Sequence, residues 1–148
     1  MREISVSIEI AAPPEAVWAV LADLPAYARW NPFLRQADGV LAVGERLRIR
    51  FHPENGRPIT FEPVVISVEP GRELLWKGRL LLPGIFDGRH RFLLEETGAG
   101  TLLTQSEIFT GLLVPFVTRS LRSTVHDFTR LNRALKDQAE GRERGSDR

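Results

Sequence analysis

Hydrophobic and polar residues alternate with a period of two over several short segments of the chain. Isoleucine and valine take every second position in residues 3 to 10, and apolar side chains alternate with arginines in residues 44 to 51. Successive side chains of a strand point to opposite faces, so both segments are predicted to be half-buried β-strands. Two further strands are predicted at residues 59 to 68 and 72 to 82, joined by a Pro-Gly pair that favours a type II turn.

The segment GRHRFLLEETGAGTLLTQSEIF, residues 88 to 109, predicts a β-hairpin. If Gly98 and Ala99 form its tip, His90 lies directly opposite Glu107 on the neighbouring strand. Side chains alternate along each strand, so this pair shares a face with the largest apolar residues of the hairpin, and that face is predicted to be the inner one. The predicted inner face also carries Phe92, Leu94, Leu103, Gln105 and Phe109.

Helical periodicity occurs at both ends of the chain. The sequence PPEAVWAVLADL predicts a short helix over about residues 14 to 23, because proline is well tolerated in a first helical turn. A second brief helical turn is predicted over PAYARW, residues 25 to 30. After Pro115, apolar residues recur at spacings of three and four, which predicts one long C-terminal helix. Its apolar stripe would carry Val117, Leu121, Val125, Phe128, Leu131 and Leu135.

This order of elements predicts a single α+β domain over residues 1 to 136, in which a curved antiparallel sheet wraps its apolar face around the C-terminal helix. Residues 137 to 148 are polar and are expected to form a disordered tail. A sheet that curves away from a helix leaves a cavity between the two. The fold therefore predicts a place for a small molecule inside the domain.

Composition excludes several classes of function. The 148 residues contain 20 Lys and Arg against 19 Asp and Glu, so no strong positive field favours nucleic acid. The absence of cysteine and the presence of only three scattered histidines argue against a metal site. No signal peptide and no long apolar run is present, so we expect a cytoplasmic protein without integral membrane association. The sequence leaves open whether the protein is a monomer or a homodimer.

Several separated motifs resemble one superfamily. The segments IEIAAPPEAVWAVLADLPAYARWNPF, VEPGRELLW, FDGRHRFLLEE and GAGTLLTQSEIFTGLL are similar, in content and order, to those of SRPBCC proteins, also called START-like or polyketide cyclase-like proteins. The resemblance covers roughly residues 3 to 136. It implies the helix-grip fold, in which a seven-stranded antiparallel sheet grips the C-terminal helix and two short helices close one end of a hydrophobic cavity. Similar proteins bind lipids or polyketides, act as aromatases or cyclases, or activate chaperones.

The inward positions of the predicted elements give a candidate lining for this cavity. They are mostly aromatic or aliphatic, which suits an apolar ligand held by a few polar groups, although packing of an ordinary core requires the same residue types. The candidate ligand-binding residues are Trp30, Phe33, Ile49, Phe51, Phe61, Trp76, Phe86, His90, Phe92, Gln105, Glu107, Phe109, Phe116, Leu121, Val125 and Phe128.

Three interpretations of His90 and Glu107 remain open. A carboxylate removed from water must be paired and hydrogen-bonded, so the two residues could simply satisfy each other, with Gln105 extending the network. They could instead orient a ligand carbonyl or hydroxyl group. In the third interpretation His90 is a general acid or base steered by Glu107, as aldol cyclisation or dehydration would require.

These interpretations lead to three hypotheses of function. The first is a binding protein for a small hydrophobic molecule, and the second is a cyclase or dehydratase that uses His90 and Glu107 without a metal ion or organic cofactor. The third is a chaperone-activating or complex-assembly module. It would use an outer apolar patch that includes Trp18, Leu93, Leu102 and Ile108.

Overall fold

The computed structural model of the protein describes residues 1–80, 84–116 and 120–141. Strands, short helices and a long C-terminal helix follow one another in the predicted order. The strands are β1 (Arg2–Ile10), β2 (Leu34–Asp38), β3 (Arg48–Phe51), β4 (Ile59–Phe61), β5 (Val64–Glu69), β6 (Glu73–Leu80), β7 (Phe86–Thr97) and β8 (Gly100–Thr110). The helices are α1 (Pro14–Ala22), α2 (Tyr27–Trp30) and α3 (Ser120–Ala139), with 3₁₀ turns at Leu24–Ala26 and Val114–Phe116.

The strands form two antiparallel sheets, in the orders β1-β8-β7-β6-β5 and β2-β3-β4. The described residues contain eight strands rather than seven. The strand predicted at residues 59 to 68 is divided into β4 and β5, and β2 was not among the strands predicted from the sequence pattern. Pro63 lies at the division, and its missing N–H group interrupts the hydrogen-bond ladder. Backbone hydrogen bonds from Val65 N to Glu45 O (2.9 Å) and from Leu47 N to Pro63 O (2.8 Å) join the two sheets around the break. The α+β helix-grip architecture is confirmed.

The β7–β8 hairpin has the predicted register. His90 pairs with Glu107, Phe92 with Gln105 and Leu94 with Leu103, and Thr97 and Gly100 close the turn. The predicted inner face is the buried one, because its apolar side chains pack in the core beneath the sheet. The strand alternation therefore places the imidazole and the carboxylate on the same covered surface.

The C-terminal helix differs from the prediction at both of its ends. It begins at Ser120, and Pro115 belongs to a separate 3₁₀ turn. It continues to Ala139, and the next residue, Glu140, accepts a hydrogen bond from Ala11 N (2.7 Å). The folded domain therefore extends beyond residue 136. Val117 and residues 142 to 148 of the expected tail lie outside the described residues.

Most of the predicted stripe of α3 packs against β1, α1 and the sheet. Phe128, Leu131 and Leu135 are buried, and so is Leu121 nearer the start of the helix. Val125 does not follow the stripe, because 38% of its surface is exposed. In the described part of the chain, no helix has the length and apolar character needed to cross a membrane.

The outer face of the larger sheet is polar at its β5–β7 end. The Glu73 carboxylate accepts hydrogen bonds from Ser67 Oγ (2.8 Å) and from the Arg91 guanidinium. Burial alone would raise the pKa of Glu73, but these two hydrogen bonds and the charges of Arg91 and Arg72 outweigh it, so the pKa lies below its ordinary value. The residues of the predicted outer apolar patch are all half-buried rather than fully exposed. They are Trp18, Leu93, Leu102 and Ile108.

Candidate functional site

The sheet leaves a hollow where two glycines lie side by side on its inner face. Gly78 of β6 pairs with Gly88 of β7, two positions along from the inward-facing pair Trp76 and His90. Neither glycine has a side chain to fill the space between sheet and helix. A cavity of about 420 Å³ lies over this pair and is open to solvent on one side. Glycine in the interior of a strand marks such a close approach or gap.

Aromatic rings form much of the cavity wall. Phe33 stacks on Phe51 with ring centroids 5.3 Å apart, Phe61 packs on Phe51 at 4.7 Å, and Phe86 stacks on Phe109 at 5.6 Å. Flat apolar surfaces of this kind suit a flat or elongated apolar molecule. The wall includes the following residues of the predicted lining: Phe33, Phe51, Phe61, Trp76, Phe86, Glu107, Phe109, Leu121 and Phe128.

The other predicted lining residues lie away from the cavity wall. Ile49 and Phe92 are fully buried within the core, Ile49 two residues before Phe51 on β3 and Phe92 four residues after Gly88 on β7. Trp30 packs edge-on against Tyr27, with ring centroids 5.2 Å apart. Phe116 and Val125 are exposed, Phe116 at 82% of its surface.

Sequence reasoning missed the wall residues contributed by loops, by two strand glycines, by the polar positions of α3 and by two further strand residues. The signal for Gly78 and Gly88 was present, since both fall at inward positions of predicted strands, but loop residues carry no period from which to infer a direction. The missed wall residues are Pro53, Asn55, Gly56, Arg57, Ile59, Pro63, Gly78, Arg79, Gly88, Ser123, Thr124 and Asp127.

His90 lies behind the cavity wall rather than in it. Only 2% of its surface is exposed, and three aromatic rings enclose the imidazole. The ring of Phe92 stacks on it at 4.7 Å, that of Phe128 lies at 4.8 Å and that of Trp76 at 5.3 Å. A ligand in the cavity would therefore meet Trp76 or Phe128 before it reached the imidazole.

Glu107 is the member of the pair that reaches the cavity. Its Oε1 lies 3.2 Å from His90 Nδ1, and 17% of its side chain is exposed. Its Oε2 lies over Gly88, so close that a β-carbon at that position would clash with it. Gly88 thus provides the space that the carboxylate occupies. The catalytic interpretation made His90 the proton-transfer group and Glu107 its support, but Glu107 is the member of the pair that lies on the cavity wall.

A buried hydrogen-bond chain continues from His90 to the opposite side of the core. His90 Nε2 and Gln105 Oε1 are 2.9 Å apart, and Gln105 Nε2 donates to Asn132 Oδ1 (2.8 Å) and to Phe128 O (3.3 Å). Asn132 Nδ2 in turn donates to Val6 O (3.1 Å). Gln105 was predicted to extend the pair and does so. Asn132 was missed, although it is a polar residue four positions after Phe128 on the apolar stripe.

The loop that closes one side of the cavity is tied to α3 by the buried carboxylate of Asp127. Asp127 Oδ1 accepts hydrogen bonds from Glu54 N (3.1 Å) and Arg130 Nη2 (2.7 Å), and Arg130 Nη2 also donates to His52 O (3.3 Å). These contacts hold residues 52 to 57 against the helix. Among the residues that the structure describes, no group of three or more His, Cys, Asp or Glu side chains could hold a metal ion.

Comparison with known families gives one match over nearly the whole chain. Residues 1–140 match the family model described as polyketide cyclase / dehydrase and lipid transport. No curated protein matches the sequence at a significant level.

Solved structures show the same fold at low sequence identity. Protein MLL2253 from Mesorhizobium loti is 23% identical with a TM-score of 0.76, over 97% of this chain and 100% of that one. Zhui aromatase/cyclase from Streptomyces sp. R1128 is 20% identical with a TM-score of 0.72, over 97% and 96%. The di-domain aromatase/cyclase BexL from the BE-7585A biosynthetic pathway is 18% identical with a TM-score of 0.76, over 96% of this chain and 51% of that one.

Proposed function

The chain belongs to the polyketide cyclase / dehydrase and lipid transport family, and we propose that it binds one small apolar molecule in the cavity between the sheet and α3. The observation that carries this proposal is the hollow of about 420 Å³ over Gly78 and Gly88, with its wall of aromatic rings. Pockets of this size and apolar character, with a few polar groups, are typical ligand sites.

The distribution of polar side chains around the cavity supports an apolar ligand with one polar end. Arg57, Arg79 and Ser123 are exposed, so they lie toward the opening. Glu107 projects from the sheet beside Gly88, on the inner wall. A ligand would bury its apolar body against the aromatic rings and place a polar group near Glu107. Removal of its apolar surface from water supplies the driving force.

A cavity-filling variant tests the binding site. In Gly78→Leu, the new β-carbon would lie 3.8 Å from Pro63 Cβ, an ordinary van der Waals contact, and the rest of the side chain would enter the cavity. The probe is N-phenyl-1-naphthylamine, a neutral molecule that fluoresces when it leaves water. We expect saturable binding to the wild type and at least about tenfold weaker binding to Gly78→Leu.

Gly98→Leu is the matched control, because Gly98 lies at the exposed hairpin tip with open space around it. This variant should bind the probe as the wild type does. Thermal unfolding of all three proteins separates loss of the cavity from loss of the fold. Absence of probe binding to the wild type, or equal binding to a folded Gly78→Leu, contradicts the proposal.

A second candidate function is a cyclase or dehydratase that uses Glu107 as a general base. The contact between Glu107 Oε1 and His90 Nδ1 favours it, because a carboxylate that faces an apolar cavity and is backed by an imidazole can accept a proton from a bound molecule. His90 would then be a positioning residue, since the aromatic rings around it separate it from the cavity. The aromatase/cyclases named above share this fold, and the fold alone does not assign the chemistry.

A simple diketone tests this second candidate. In 2,6-heptanedione, removal of a methyl proton and attack of the resulting enolate on the distant carbonyl close a six-membered ring, and loss of water gives 3-methylcyclohex-2-enone. A general base at Glu107 predicts that the wild type forms the ultraviolet-absorbing enone faster than Glu107→Gln does. Equal rates in the two proteins argue against this role for Glu107.

A further inference from the structure

The hydrogen-bond chain behind Glu107 has a fixed direction. Val6 O is a backbone carbonyl that can only accept, so the Asn132 amide must turn its NH₂ group toward it and its oxygen toward Gln105. Gln105 must therefore donate through Nε2, which it also does to the carbonyl of Phe128. This leaves Gln105 Oε1 as an acceptor. His90 Nε2, 2.9 Å away, must carry the hydrogen.

The direction of this chain determines what lies between His90 and Glu107. With Nε2 protonated, His90 Nδ1 is either a lone pair or a second N–H. A lone pair 3.2 Å from a carboxylate oxygen with no proton between them would be repulsive, and the imidazole is shielded from water, which could otherwise weaken that repulsion. One proton therefore lies at this contact, on Nδ1 or on Oε1. The three aromatic rings around the imidazole accommodate either state, including the cation.

We propose that the cavity selects molecules that present a hydroxyl or N–H donor to Glu107 Oε2, and rejects those that present only an acceptor. The proton of the pair lies at Oε1 or Nδ1, so Oε2 is a bare acceptor in both states. In the described part of the chain, no hydrogen bond reaches Oε2, which lies over Gly88 on the cavity wall. The preferred ligand class is a neutral phenol, enol, alcohol or amine with an apolar body. This inference rests on the proposed binding function.

Two probes that differ in a single donor test the selectivity. 2-Naphthol and 2-methoxynaphthalene share the ring system and the oxygen atom, and only the naphthol can donate a hydrogen bond. Their dissociation constants are measured by calorimetry for the wild type and for Glu107→Met, which has similar length without an acceptor oxygen. We expect the wild type to favour the naphthol over the ether about tenfold more strongly than Glu107→Met does. The ratio between proteins cancels the difference in hydration between the two probes.

Gly88→Ala keeps the carboxylate but displaces it, and we expect the same loss of selectivity in that variant. Gly88→Ala replaces Glu107→Met as the test of selectivity if Glu107→Met does not fold. Binding of both probes with equal selectivity in wild type and variants overturns this inference and leaves the proposed function intact. If Asp127→Asn abolishes the preference and Glu107→Met does not, the acceptor has been assigned to the wrong carboxylate. Absence of binding of either probe to the wild type contradicts the proposed function and the inference together.

Discussion

Gln105→Leu is the most informative perturbation of the core, because Gln105 connects the strand that carries the candidate site to α3. The side chain is fully buried and bonds His90, Asn132 and the carbonyl of Phe128. Leucine fills a similar volume but has no polar atoms. The substitution therefore removes the connection without creating a large void.

The size of the destabilisation by Gln105→Leu follows from the polar groups that lose their hydrogen-bond partners. His90 Nε2–H and Asn132 Oδ1 lose their partners in a place that water does not reach, and each such loss costs about 1–3 kcal/mol. The Phe128 carbonyl lies within α3 and keeps its helical hydrogen bond. Burial of the apolar leucine returns about 1–2 kcal/mol. The two losses together cost about 2–6 kcal/mol, so at the middle of both ranges the free energy of unfolding should fall by about 2–3 kcal/mol.

Urea unfolding followed by far-ultraviolet circular dichroism measures this change, and Gln36→Leu is the control. Gln36 is exposed on β2, so its replacement should change the unfolding free energy by less than about 0.5 kcal/mol. Because the network acts as a unit, Gln105→Leu should cost less by about 1 kcal/mol or more when Asn132 is already leucine. A stability equal to that of the wild type, or strict additivity with Asn132→Leu, would refute the reasoning.

Three further substitutions have defined outcomes. The free energy of unfolding of Gly88→Ala should lie within about 1 kcal/mol of the wild-type value, because the flexible end of Glu107 can move aside. The same variant should lose its preference for 2-naphthol in calorimetry. Glu73→Gln should lose less thermal stability than the wild type as the pH falls below the ordinary glutamate value of about 4.3, because the lowered pKa of Glu73 stabilises the folded wild type above that value. Asp127→Asn should release the loop that begins near Glu54, which hydrogen exchange of residues 52 to 57 would detect.

Each of these expectations has a clear contrary result. A Gly88→Ala protein that retains the full preference for 2-naphthol would mean that the carboxylate is not held over Gly88. Parallel loss of stability in wild type and Glu73→Gln between pH 5 and 3 would show that Glu73 gains nothing from Ser67 and Arg91. Unchanged exchange of residues 52 to 57 in Asp127→Asn would leave that loop anchored by other contacts.

The sequence predicts the register of the site hairpin because two strong signals agree. A Gly-Ala tip fixes the turn, and period-two alternation fixes which side chains face inward, so the pairing of His90 with Glu107 follows without further information. The turn at residues 69 to 72 is a similar case. Gly71 has a φ of 78°, and Arg72 N donates to Glu69 O (2.9 Å), as the Pro-Gly pair predicts.

One predicted strand is divided into β4 and β5. The sequence contains the signal for this division, which is Pro63, but the prediction gave more weight to the apolar residues on both sides of it. Apolar residues continue through residues 59 to 68, but Pro63 cannot donate to the ladder, and the chain changes partner there. The start of α3 is a different case. Pro115 is compatible with a first helical turn, and it forms one, but that turn is 3₁₀ and ends at Phe116.

The sequence could not predict which member of the His90–Glu107 pair faces the cavity. Strand parity places both residues on the inner face, but whether each meets the cavity depends on what covers it. Phe128 of α3 covers His90, whereas Gly88 leaves open the space that the Glu107 carboxylate occupies at the cavity wall. Such coverage depends on helix placement, which residue periodicity does not specify.

The central claim is that an apolar molecule occupies the hollow over the paired glycines, next to the carboxylate of Glu107. A titration of ¹⁵N-labelled wild-type protein with N-phenyl-1-naphthylamine, followed by amide chemical shifts, tests it most directly. The largest shifts should fall on Gly78, Gly88 and Glu107. Shifts confined to the outer face of the sheet, or no shifts at saturating probe, would contradict it.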